Sequence, residues 1–135
     1  MTQEDKELLL VDLCARLPYG AICYNSNTES NFKLCDTADI DSGYPTFDYG
    51  YGELETVKPY LRPMSSMTEE EKWEYTNLCF EEDREEFVFG EWATKTYYHD
   101  TIESIDWLNA YHFDYRGLIP KGLAIEVDEN NNPYK

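Results

Sequence analysis

The chain has 135 residues, 41% hydrophobic and 16% aromatic, with 28 acidic side chains against 11 basic ones and a formal net charge of −17. That length suits one domain with its own core, and the aromatic content separates it from acidic disordered chains, which lack the apolar groups that offset the entropy of ordering. The charge argues against direct binding to nucleic acid or an anionic membrane, since such binding depends on Lys and Arg displacing counterions; a basic protein is the natural partner.

In chain order, Thr2 and Asp5 form a capping box, and Leu10, Leu13, Cys14 and Leu17 fall on one helical stripe until Pro18 and Gly20 stop it. "GAICYN" and "NFKLCDT" read as two antiparallel strands over residues 21–36, joined by the polar link "SNTES". Residues 37–63 are dense in Gly, Pro and Tyr and read as a long irregular segment with a short strand near Leu54–Val57. Thr68 and Glu71 make a second capping box, and the helix they open is expected to end in the acidic run "EEDREE" at 81–86. Residues 87–98 supply one or two strands, with Gly90 at a turn or bulge. Asp100 or Thr101 caps a third helix to about Phe113, with Ile102, Ile105 and Leu108 inward. A short strand follows in "GLIPKGLAIEV", and 128–135 reads as a polar tail of a single domain, 1–135. The fold class expected is α+β, a small antiparallel sheet packed with about three helices.

The stretch "KPYLRPMSSMTEEE" brackets Arg62 between Pro59 and Pro63. Lys58 and Arg62 each precede a proline and are biased to extended backbone, so Arg62 has a fixed direction and either ties down the Tyr-rich segment or offers its guanidinium to an anion. This stretch and "IDWLNAYHFDYRGLIPKGLAIE" resemble motifs of a group of small uncharacterised proteins encoded by gut bacteria and by their phages and mobile elements. The resemblance spans about residues 5–127. It implies an accessory gene product and brings no activity or functional residues with it.

Few residues point to catalysis. His112 and Asp114, with Arg116 behind them, have the right types for proton transfer beside an anion, but packing at a helix end and local pairing are the stronger account of them. His99 reads as an exposed helix entry. Cys14, Cys23, Cys35 and Cys79 match no zinc module and show no base or helix N-terminus that would activate a thiol, so buried free thiols are expected. "DIDSG" and "DENNN" lack EF-hand spacing, and no phosphate-loop, dinucleotide, HExxH or GxSxG motif occurs. No cofactor or metal is expected.

Two readings remain open. In the first, a non-enzymatic protein, expected in the cytoplasm because no signal or spanning segment is evident, engages a basic surface of a host protein. Glu69, Glu70, Glu74, Glu81, Glu82, Asp83 and Glu85 supply the charge and Tyr49 and Tyr51 the aromatic anchors; its sharpest form is a nucleic-acid mimic or inhibitor. In the second, Lys58, Tyr60, Arg62 and Arg116 converge on a small-molecule or nucleotide pocket, enzymatic or sequestering. Oligomeric state is not legible.

Overall fold

The computed structural model describes residues 2–36, 46–47, 50–51 and 56–134. Helix α1, Gln3–Arg16, opens on the expected box: Asp5 N–H donates to Thr2 Oγ1 at 3.1 Å, and the Asp5 carboxylate accepts from Thr2 N–H at 3.4 Å. Its buried face is Leu9, Asp12, Leu13 and Arg16; of the expected stripe Leu13 is buried, Leu10 and Leu17 pack partly buried against the core, and Cys14 is exposed. The helix is rotated because Asp12 and Arg16, one turn apart, pair inside the protein. A 3₁₀ turn at Leu17–Tyr19 follows, and Gly20, at φ +70°, ends the helical path in the left-handed region that glycine enters freely.

Strands β1 (Ile22–Asn25) and β2 (Ser30–Asp36) form the expected hairpin, and β3 (Thr46–Phe47) and β4 (Gly50–Tyr51) add two short rungs within the segment read as irregular. Strand β5, Val57–Pro63, takes in both prolines. The extended bias they impose on Lys58 and Arg62 suits a strand as well as a loop. Helix α2 is Glu69–Leu78, closed by Cys79 in extended backbone. The acidic run expected at its end instead lies in β6, Phe80–Val88, which pairs over its whole length with β7, Glu91–His99. Cross-strand pairing with a β-branched and aromatic partner outweighs the weak strand preference of Glu.

Thr101 caps α3, Ile102–Ala110: Ser104 N–H donates to Thr101 Oγ1 at 3.0 Å, and Thr101 N–H to Ser104 Oγ at 2.7 Å. The helix stops three residues short of Phe113. Ser104, Leu108 and Asn109 are its buried residues, while Ile102, expected inward, is 80% exposed. Two short strands follow, β8 at Phe113–Asp114 and β9 at Ile125–Glu126. The expected polar tail is pinned near its end: Tyr134 Oη accepts from Ile22 N–H at 3.0 Å and donates to Tyr60 O at 2.9 Å.

These elements make an α+β fold with two sheets. The larger runs β4-β3-β2-β1-β5-β8, with β9 also on β5; β8 and β9 lie parallel to β5, and the other pairs are antiparallel. The second sheet is the β6–β7 hairpin alone. The chain divides into two compact units, Met1–Ser66 with Asn109–Lys135, and Met67–Leu108. The first holds an apolar core in which Leu9 and Leu13 of α1 meet Cys23, Leu34, Val57 and Leu61 of the sheet. In the second, Tyr75 of α2 stacks on Trp107 of α3 at 5.8 Å, its hydroxyl donates to Asp100, and Thr101 Oγ1 donates to Leu78 O at 2.6 Å.

Candidate functional site

The β6–β7 hairpin is exposed on both faces: of its strand residues only Glu82, Glu86 and Tyr97 are half-buried. A two-stranded ribbon is marginal in water unless something packs on it. Residues 67–108 carry thirteen Asp and Glu against three Lys and Arg, and the hairpin itself has six carboxylates against two cations. Most of the molecule's net negative charge therefore lies in its smaller unit.

The register sorts that charge between two faces. On one, Glu82, Arg84 and Glu86 stand opposite Tyr97, Lys95 and Ala93. Arg84 forks onto Glu82 at 2.9 and 3.0 Å and lies over the Tyr97 ring at 4.8 Å, His99 Nε2 meets Glu82 at 2.7 Å, and Tyr97 donates to Glu86. The bond from Arg84, then that from His99, lowers the Glu82 carboxyl to about 2, and Glu82 in turn raises the Arg84 pKa. That face carries both of the hairpin's cations, and Glu82 and Glu86 are held in bonds within it.

On the other face Glu81, Asp83 and Glu85 stand opposite Tyr98, Thr96 and Thr94, with no cation among them. Alternate strand residues are about 6.6 Å apart along the chain, so these carboxylates form an evenly spaced anionic row flanked by hydroxyls; Thr96 Oγ1 donates to Asp83 at 2.8 Å. Reading 81–86 as a helix end concealed this row, which only a period of two separates from its paired counterpart.

At the hairpin tip Val88 pairs with Glu91 across a two-residue loop, Phe89-Gly90, with φ +52° and +84°. Positive φ at both positions is the type I′ requirement, normally met by Asn-Gly. Phe89 in the left-handed region costs on the order of 1 kcal/mol, and its ring is fully exposed. Behind it Phe87 and Trp92 pair at 5.5 Å.

The remaining expected site residues disperse. Glu69 and Glu70 lie exposed in the first turn of α2, where the helix dipole favours them, and Glu74 accepts from Trp107 Nε1 at 3.3 Å. Tyr49 lies outside the described residues, and of Tyr51 only the backbone, in β4, is described.

In the larger unit, Arg116 turns to the buried Asp12 at 3.0 Å, Lys58 lies exposed on β5, and Tyr60 donates to Asn31 at 2.9 Å. Arg62 sits 4.2 Å over the Phe113 ring and lines a cleft of about 470 Å³ with Ala110, Tyr111, His112, Asn132 and Tyr134. The three expected cations therefore do not converge there. His112 and Asp114 also part: Asp114 accepts from Leu118 and Ile119 N–H at 2.9 Å each, while His112 stacks flat on Tyr134 at 3.6 Å. Burial, then Arg16 and Arg62, lowers the His112 pKa to about 4, so its ring is neutral at physiological pH.

Sequence reading missed the buried charge cluster. Arg16 Nε donates to Asp12 at 2.7 Å and its Nη2 to Phe113 O at 2.6 Å, with both side chains fully buried. Burial raises the nearby Cys23 thiol to about 12, leaving it inert as a nucleophile. Among the described residues no three His, Cys, Asp or Glu side chains are placed to share a metal ion, and no helix is long and apolar enough to cross a membrane. No family model, curated protein or solved structure matches the chain.

Proposed function

We propose that this protein is a non-enzymatic accessory factor that engages a basic surface of a host protein through the acidic β6–β7 hairpin. The observation that carries the reading is the Glu81, Asp83, Glu85 row: an evenly spaced set of carboxylates on an exposed strand face that holds no cation. Such a row presents charge as a phosphate backbone does, and a groove that binds nucleic acid offers the matching Lys and Arg. Inhibition by nucleic-acid mimicry is the sharpest form of this function.

A pull-down from bacterial host lysate at low and high salt tests it, with the triple variant Glu81→Gln, Asp83→Asn, Glu85→Gln as control. The expected result is a basic nucleic-acid-binding protein recovered at low salt, released at high salt and lost with the variant. Recovery indifferent to both changes would overturn the reading.

A second reading rests on Arg62 and His112 sharing one cleft: a small anion bound there by the guanidinium. It predicts that inorganic phosphate or a nucleotide raises the melting temperature, and that Arg62→Gln removes the effect.

A further inference from the structure

At its apex the same hairpin exchanges charge for apolar surface. Phe87, Phe89 and Trp92 are 61%, 102% and 71% exposed, and Val88 is 43% exposed. Phe89 gives the fold no burial, and its left-handed backbone would be occupied with less strain by Asn or Gly. Residue type and exposure both work against stability at this position, so the side chain is explained by a contact outside the chain.

We infer that the apex is an anchor, inserting Phe89 with Phe87 and Trp92 beside it into an apolar pocket whose rim, on a protein partner, is basic. The inference rests on the stem reading above and adds the shape of the partner's site. Charge selects among the possible occupants. A second copy of the chain would bring two stems together, each with six carboxylates against two cations. An anionic bilayer would meet the same repulsion. A pocket fringed with Lys and Arg satisfies both the aromatic tip and the carboxylate row that begins, on the face of Phe87, at Glu85.

The test places a benzoylphenylalanine photocrosslinker at position 89 of the full chain in lysate and maps the crosslinked peptide. The purified partner is then titrated with the wild type, with Phe89→Asn, and with the triple stem variant. The expected result is a crosslink to an apolar peptide bounded by basic residues, with Phe89→Asn weakening binding by about tenfold or more while the melting temperature holds or rises. Unchanged affinity of Phe89→Asn, with binding lost in the stem variant, overturns the apex inference and leaves the stem reading standing. Binding lost with Phe89→Asn but indifferent to the stem variant overturns the stem reading and the basic rim together. Crosslinks to a second copy, to zwitterionic or anionic vesicles added in parallel, or to nothing overturn the inference.

Discussion

Asp12 is the residue on which the larger unit's interior most depends. It lies fully buried between Arg16 and Arg116, at 2.7 and 3.0 Å, so removing it strands positive charge in the core, a loss on the order of 3–5 kcal/mol. Asp12→Ala is expected to lower the urea midpoint severely. Asp12→Leu with Arg16→Met should recover much of the loss, because the partly exposed Arg116 can turn to water. His112 offers a separate check. Its folded pKa of about 4 lies below the ordinary 6.5, so the fold holds fewer protons than the unfolded chain in that interval. The contribution is complete above about pH 6.5 and drains away as the pH falls toward 4, on the order of 2 kcal/mol after allowance for partial exposure. His112→Asn, whose short side chain accepts the φ of +63°, should flatten the melting temperature across that interval relative to the wild type. Local chemistry of this kind is partly legible beforehand. Both capping boxes could be read directly, because a cap is satisfied within four residues. The inward turn of Asp12 and Arg16 could not, since their partners Phe113 and Arg116 lie about a hundred positions away.

Among the elements, the hairpin is the one whose turn works against its own stability. Its turn needs two positive φ values and receives glycine for only one of them. Gly90→Ala would meet open space but a strained backbone, and is expected to weaken the hairpin by about 1 kcal/mol, read as loss of amide protection in β6 and β7 while α1 exchange is unchanged. Two β-favouring runs around a polar link revealed β1 and β2, and the aromatic run 87–98 revealed β7. The helix expected through 81–86 was wrong because Glu carries little strand preference of its own, and only the nine-rung register opposite β7 makes β6 a strand. A proline-bracketed run was likewise extended as expected, yet its membership of the central sheet depends on β1, β8 and β9, which sequence spacing does not disclose.

For the molecule as a whole, the net charge of −17 acts against its own folding by self-repulsion. Raising NaCl from about 0.02 to 0.5 M shortens the screening length severalfold. We expect the melting temperature to rise by roughly 3–6 °C, equivalent to about 1 kcal/mol; a fall would show that the paired clusters around Asp12 and Glu82 matter more than the repulsion. The α+β class was legible from element order alone. The division into two units was not, because it depends on where contacts concentrate.

The parallel pairing of β8 and β9 with β5 also sets an order of events. Residues 67–108 make their contacts locally and are complete once Leu108 has left the ribosome, whereas the central sheet waits for Phe113 and Glu126 before β5 gains both partners. During synthesis the acidic hairpin is therefore able to take its final form while β5 still lacks two of its partner strands. A nascent chain would present its acidic hairpin before its own core has closed.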